Sequence, residues 1–360
     1  MKRTLTIAGT ILGALVLSVI VFFFWASSGR LSNDELAQIK QYPTAPTSAA
    51  PDTLTVMSYN IGYLSGMTNN QPVVRSDSLF AANMNQAVTL IRDADPDVIG
   101  IQEIDYGGAR VGHVHQLDTI ATRLGYPTAA QAVNWDERYL PFPYGWPSVN
   151  FGRTVSGQAV LSRFPIRQHV RTVLPRPPQP FFRDAFYLDR LAQIAVVDLG
   201  GRPLAVMNLH LEAFDTDTRE KQAREARTLY DRLVAENIPT LVIGDMNSEL
   251  PAAAADTTGP TDETMRILLD DTTLRPAFPD STHRTGTPPA TYPADAPDRK
   301  IDYILYPPDL LAPITRQIQC DAPSPPSDHC AVTASFRPRP SLLDEETPND
   351  LPRLDRLLAN

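Results

Sequence analysis

The chain has 360 residues, 42% hydrophobic and 20% charged, an ordinary globular balance with no internal repeat. Net charge is −9, and Lys2, Arg3 and Arg30 are the only charges in the first thirty residues, so residues 31–360 carry 29 basic and 41 acidic side chains. Such a surface, without any Lys/Arg run, argues against tight binding of duplex DNA, and two cysteines exclude a disulfide scaffold or a cysteine zinc site.

Leu5–Ala26 is an uncharged run ending in three phenylalanines and Trp25. Its 22 residues, at ~1.5 Å each, span roughly 33 Å, enough for a bilayer core. The run is longer than the roughly 7–15 residues of a secretory h-region. Ala26-Ser-Ser28 nevertheless resembles a cleavage site, so a removed signal peptide stands beside the preferred uncleaved anchor. Lys2 and Arg3 hold the N-terminus in the cytoplasm, which places the remainder outside it. Residues 1–30 are therefore expected to be a membrane anchor and 31–52 a linker. Pro43–Pro51 within that linker reads as a spacer lifting the domain, residues 53–337, off the membrane.

Leu54–Asn60 alternates like a strand. Residues 78–93 have helical spacing, and Asp95-Pro-Asp97 stops that helix before the apolar strand Val98–Glu103. A flexible polar loop, Gly107–His115, precedes a short helix ending near Leu124. Strands follow at Gln158–Ser162 and Arg167–Val173. Leu191–Leu199 and Pro203–Leu211 form a hairpin about Gly200-Gly201, with Asn208 and His210 on one face. Arg219–Glu236 is an amphipathic helix, and Thr240–Asn247 is a buried strand that Gly244 ends. Residues 276–297 read as a surface loop, and Arg299–Tyr306 as a strand bearing Asp302. Ile314–Ile318 and Cys330–Phe336 flank a loop containing Asp328 and His329. Cys320 and Cys330 either pair, closing the short loop between them, or remain buried thiols. Residues 338–360 are a polar, Pro-rich tail in which Leu351–Leu358 is either a short amphipathic helix or disordered.

Strands broken by helices early and hairpins later predict an α/β (α+β) domain, a four-layer sandwich of two packed mixed β-sheets with helices outside. Asn60, Glu103, His210, Asp245, Asn247, Asp302, Asp328 and His329 all stand at strand ends or in the loops that follow. A carboxylate and an amide at the end of a buried strand suit a hard cation and a phosphate oxygen.

Six stretches resemble the endonuclease/exonuclease/phosphatase superfamily of metal-dependent phosphoesterases. They are Ser58-Tyr-Asn60, Ile101-Gln-Glu103, Asn208-Leu-His210, Gly244-Asp-Met-Asn247, Lys300-Ile-Asp302 and Ser327-Asp-His329, in the superfamily's order across residues 54–336. Glu103-Ile-Asp105, the Gly-rich loop and the Arg219/Gln222 pair look closest to its sphingomyelinase-like and GPI-anchor-remodelling branch. Gly62 stands where abasic-site endonucleases carry an acidic residue, and His210 where some carry Tyr, which weakens a DNA-repair reading.

The resemblance implies a hydrolase in which His329 is the general base and Asp302 fixes its tautomer. It gives Glu103, Asn60 and Asp328 to Mg²⁺ or Mn²⁺, Asp245 and Asn247 to the water and phosphoryl group, and His210 to a non-bridging oxygen. Arg110, His113 and His115 are candidates for the substrate mouth. The expected substrate is a lipid-derived or small phosphoester, met by a monomer. A nuclease of the same fold and a non-catalytic binding module are the rivals.

Overall fold

The computed structural model describes residues 2–250, 262–270, 273–278, 289–320, 324–343 and 351–358. The apolar run forms α1 (Lys2–Ala26), exposed almost throughout until Ala26 is buried at its end. It is the one helix among the described residues long and apolar enough to cross a membrane, a test that a signal sequence also passes.

β1 (Ala37–Gln41) and β2 (Leu54–Asn60) precede α2 (Asp77–Ala94), which Ser76 caps by accepting the Leu79 amide and Asp95 ends in the left-handed region. β3 (Val98–Asp105), α3 (Gln116–Leu124), β4 (Thr128–Leu140), β5 (Gly152–Ser162), β6 (Ile166–Val173) and α4 (Phe181–Asp184) follow. The Gly200-Gly201 turn joins β7 (Leu191–Asp198) to β8 (Pro203–His210), both glycines at positive φ. α5 (Thr216–Ala235), β9 (Thr240–Asp245), α6 (Thr264–Leu268) and β10 (Arg275–Pro276) lead to β11 (Asp302–Tyr306). β12 (Leu311–Gln319), β13 (Ala331–Pro338), α7 (Pro340–Leu343) and α8 (Leu354–Leu357) complete the described chain.

One sheet has the order β1-β4-β5-β3-β2-β13-β12 and the other β10-β11-β9-β8-β7-β6. Both are mixed, since β2–β3 and β8–β9 are parallel and the remaining pairs antiparallel. Val56, Val98, Val160, Val206, Ile243 and Phe336 fill the space between the sheets. α2 and α3 cover the outer face of the first sheet, and α5 that of the second, through Ala223, Leu229 and Leu233. The four-layer expectation is met.

The structure departs from the sequence reading in the linker and decides two alternatives that the sequence left open. Residues 31–52 do not act as a loose spacer: β1 pairs with β4, and Gly200 lies hard against the Ala49-Ala50 backbone. The domain is instead tied to the end of α1, because the Arg30 and Leu31 amides donate to Asp136 Oδ2 at 2.6 and 2.8 Å. In the tail, α8 is docked, with Leu354 and Leu358 buried in the second sheet's outer core and Leu354 N donating to Gln168 Oε1 at 2.9 Å. Cys320 and Cys330 form a disulfide. Of the expected 276–297 loop, residues 279–288 lie outside the described residues, and 289–297 contain no strand.

Candidate active site

Register places the polar residues. His210 pairs with Asp245 across β8–β9, and Asp245 with Asp302 across β9–β11, so the three form one row on one face of the second sheet. In the first sheet Asn60 ends β2. Glu103 sits in a β-bulge, where the β3–β5 register shifts between Ile101 and Ile104, at φ 50°. The extra residue turns the Glu103 carboxylate out of the regular alternation, so Gln102 and Glu103 need not face opposite ways. Gln102 instead bridges the sheets, donating to Asn208 Oδ1 at 2.6 Å.

His329 arrives from the loop before β13. Ser327 Oγ donates to Asn60 O at 2.7 Å and accepts from the His329 amide at 3.1 Å, stitching that loop to the end of β2. Gly62 makes the crossing possible. Its φ is 50°, and a Cβ there would come within 2.6 Å of Asp328 Oδ1 and 3.1 Å of Ser327 Oγ. The glycine thus serves packing and backbone conformation in this chain.

His329 Nδ1 lies 3.0 Å from Asp302 Oδ2, and its Nε2 lies 3.7 Å from Asp245 Oδ2 and 3.4 Å from Asn60 Nδ2. Asn60 Nδ2 also donates to Asp245 Oδ2 at 3.0 Å. Burial opposes charge on His329, yet Asp302 and Asp245 hold the imidazole well above its ordinary pKa. Burial, reinforced by the Asp302 charge, pushes Asp245 up to about 7.

His210 behaves oppositely. Burial, with Arg190 and His329 beside it, keeps its pKa well below the ordinary value, so it stays neutral. Arg190 Nη1 lies 2.6 Å from His210 Nε2, and a guanidinium can only donate, so this Nε2 is an acceptor. The cationic donor at that point of the site is therefore Arg190, itself held by Glu212 at 3.6 Å, whose carboxylate accepts from Tyr187 at 2.8 Å. Arg190 was not evident in the sequence, where it is an arginine in an irregular segment before a strand.

A second residue missed from sequence is Asn69, whose Nδ2 donates to Glu103 Oε2 at 2.8 Å and Asp328 Oδ2 at 3.4 Å. Its Oδ1 is buried without a hydrogen-bond partner. Burial pushes Asp328 up to about 6, with the Glu103 charge adding to the shift. The Glu103 and Asp328 carboxylates, bridged by Asn69 Nδ2, with the unpartnered Asn69 Oδ1 alongside, form an oxygen-donor set that fits a hard divalent cation. Asp245, Asp302 and His329, with ligand atoms within 4.8 Å of one another, form a second group capable of holding a metal.

The other sequence candidates fall elsewhere. Asn247 lies beside Asp245 but spends its Nδ2 on Leu211 O at 3.0 Å, bracing the loop after β8. His115 caps α3, accepting from Asp118 N at 3.2 Å, and His113 Nδ1 lies 3.2 Å from Gly107 O. Neither is brought to the strand-end cluster. Arg110 is buried, paired with Asp105 at 2.8 Å and stacked on the Tyr63 ring at 3.5 Å. Arg219 and Gln222 clamp the loop after His210 through Glu212 O at 2.9 Å and Glu212 N at 2.7 Å.

Residues 57–329 match the endonuclease/exonuclease/phosphatase family. No curated protein matches the chain. Among solved structures, an endonuclease/exonuclease/phosphatase from Beutenbergia cavernae is similar over 80% of this chain and 72% of its own, at 19% identity and TM-score 0.55. The human Nocturnin catalytic domain with bound sulfate is similar over 84% of this chain and 97% of its own, at 18% identity and TM-score 0.53. A mannosyl-6-phosphatase from Bacteroides thetaiotaomicron is similar over 79% and 99%, at 15% identity and TM-score 0.52. At these identities the likeness concerns the fold.

Proposed function

Because the chain belongs to the endonuclease/exonuclease/phosphatase family, we propose that it is a membrane-anchored, Mg²⁺- or Mn²⁺-dependent phosphodiesterase or phosphatase. The observation that carries the reading is the buried His329–Asp302 pair, 3.0 Å apart, with Asp245 beside Asp302 in the second sheet and Asn60 and Glu103 at strand ends of the first. Phosphoester hydrolysis needs an activated water, a charge clamp on the phosphoryl oxygens and an oriented base. His329 takes the proton from water at Nε2. Asp302, accepting from Nδ1–H, keeps Nε2 as the basic nitrogen and stabilises the imidazolium that forms. Arg190, oriented by the neutral His210 that accepts from it, clamps the phosphoryl group, and Asp245 and Asn60 orient the water. Glu103 and Asp328, with Asn60 and Asn69 alongside, would hold the divalent cation, which supplies Lewis-acid charge at the phosphoryl oxygens.

The substrate is a lipid-derived or small phosphoester, met by a monomer in the extracytoplasmic space. Lys2 and Arg3 at the start of α1 support that topology, and an acidic domain disfavours nucleic acid. The Glu103-Ile-Asp105 stretch and the Arg219/Gln222 clamp support placement near the sphingomyelinase-like branch.

The test is hydrolysis of bis-p-nitrophenyl phosphate and p-nitrophenyl phosphate by the purified chain with EDTA, Mg²⁺ or Mn²⁺, beside His329→Ala. Metal-dependent turnover lost in the variant supports the reading, and the diester-to-monoester ratio chooses the activity. Cleavage confined to plasmid DNA would favour a nuclease. Inertness toward these, sphingomyelin and phosphoinositides would leave a binding module.

A further inference from the structure

We propose that the rim of the catalytic mouth is a second, aromatic membrane contact. It seats the site on the leaflet that α1 enters and admits phosphoesters still resident in that bilayer. The inference rests on the anchor and phosphoesterase readings above and names the route by which substrate reaches the site.

Three loops form the rim, and topology puts all three at the catalytic end of the sheets. The β4–β5 loop leaves where Leu140 faces Gly152, beyond the Asp105–Ser156 pair that follows Glu103. The loop carrying α4 runs into Leu191, which pairs directly with His210. The third loop begins immediately after His210. These loops bear the domain's most exposed aromatics: Tyr144 at 71%, Trp146 at 83%, Phe181 at 75%, Phe182 at 53% and Phe214 at 89%. Five exposed rings on one rim are more than scattered surface residues, and aromatic rings favour the interfacial zone of a bilayer.

The occupant is named by what the rim touches. Phe22 and Phe23, in the last turns of α1, meet Tyr139 at 5.8 Å, Phe181 at 6.0 Å and Phe186 at 5.5 Å between ring centroids. The rim is thus continuous with the end of the apolar helix. Arg138 N donates to Ser28 O at 3.1 Å, and a Cβ at Gly29 would approach Asp136 Oδ2 to 2.6 Å, so no spacer separates helix from domain. A bilayer enclosing α1 therefore has its interface at the level of Tyr139, Phe181 and Phe186.

From there to the chemistry is a short path. Tyr187, next to Phe186, donates to Glu212, which pairs with Arg190, which donates to His210. A phosphoester at headgroup depth can meet Arg190 and His210 with its acyl or alkyl chain left in the leaflet.

The full chain, reconstituted in phosphatidylcholine vesicles with or without dibrominated acyl chains, tests this on a Trp25→Phe background. Trp146 fluorescence, taken as the difference from a Trp146→Phe variant, should be quenched by the brominated lipid. Two diesters with the same leaving group, hexadecyl and methyl p-nitrophenyl phosphate, then separate bilayer-resident from free substrate. The Tyr144→Ser/Trp146→Ser/Phe214→Ser variant should lose about ten-fold or more on the hexadecyl ester and stay within about two-fold on the methyl ester. Retention in the membrane with unquenched Trp146, or equal losses on both esters, overturns the proposal. Extraction by alkaline carbonate overturns it together with the anchor reading. A parent chain that cleaves neither ester overturns the phosphoesterase reading and the access route, while quenching would still uphold the docking surface.

Discussion

Asp302→Asn isolates the proposed base. The substitution keeps the shape of the side chain but replaces an obligatory acceptor by a group that can turn an N–H toward His329 Nδ1, now 3.0 Å from a carboxylate oxygen. That moves the imidazole proton to Nε2, the nitrogen that must receive the proton of water. A charge pair at this distance in a medium of effective dielectric about 20 is coupled by roughly 5 kcal/mol. Loss of the correct tautomer in a His–carboxylate pair costs about 10³–10⁴-fold in rate, or about 4–5 kcal/mol, so the two views agree. The pH profile adds a sign. Asp302 helps hold His329 well above its ordinary pKa, and the base works only when deprotonated, so the parent's acidic limb lies above the ordinary histidine range. Without that carboxylate the limb moves to lower pH, and the gap between parent and variant narrows as pH falls. Measured as kcat on bis-p-nitrophenyl phosphate with saturating Mg²⁺ from pH 5 to 9, with circular dichroism to confirm folding, a loss under about ten-fold with an unmoved acidic limb would refute the assignment.

Gly62→Ala should cost about 1–3 kcal/mol from positive φ alone, and more from the Cβ approach to Asp328 Oδ1. It should also weaken Mn²⁺ binding measured by calorimetry; unchanged affinity and denaturation midpoint would contradict the packing account. Glu137 tests buried charge away from the site, since burial raises its carboxyl to about 8 and its Oε2 has no partner. Its folded pKa exceeds the unfolded one, so the charge penalty is absent below about pH 4.5, grows above it and saturates beyond pH 8. Glu137→Gln should therefore stabilise by about 1–2 kcal/mol at pH 8, after allowing for solvent screening, and by nothing at pH 4, as urea titrations at the two values would show. Replacing both Cys320 and Cys330 by Ser should cost about 2–3 kcal/mol for opening a loop of roughly eleven residues, read as a lower urea midpoint; an unchanged midpoint would argue against the pairing.

Which parts of the molecule were legible follows from where the signal is stored. β2, β3 and β9 are runs of β-branched and apolar residues that end on a polar side chain, so both strand and site residue could be read. β4 was missed over thirteen residues because Thr128-Ala-Ala-Gln-Ala mixes weak strand formers, and its partners β1 and β5 supply the reason for its extension. β1 itself is too short and half-exposed to show a period. Asn69, Arg190 and Glu212 were invisible for a different reason. They sit on irregular segments whose path is set by tertiary contacts, and nothing local distinguishes Arg190 from a surface arginine. In the Gly107–His115 loop the cations drew attention as a substrate mouth, and the structure adds what sequence did not show: Arg110 pairs with Asp105 and His115 caps α3.

The disposition of charge explains why the site needs both sheets. Glu103, Asp245, Asp302 and Asp328 converge where burial already raises Asp245 and Asp328, and the cation facing Asp245 and Asp302 directly is a protonated His329, with Arg190 behind His210. Four carboxylates, two buried and two half-buried, on one flexible element would separate to regain water, because burying each costs several kcal/mol unless it is paired. Here Asp245 and Asp302 are neighbours in one ladder, Glu103 is turned in by a bulge, and Asp328 is pinned by Ser327 to the end of β2. Separation would require breaking sheet register rather than rotating a side chain. The apolar layer between the sheets, from Val56 to Phe336, holds that register and so keeps the carboxylates together. The charge the fold leaves uncompensated at this point is what a divalent cation and the proton held on His329 would balance.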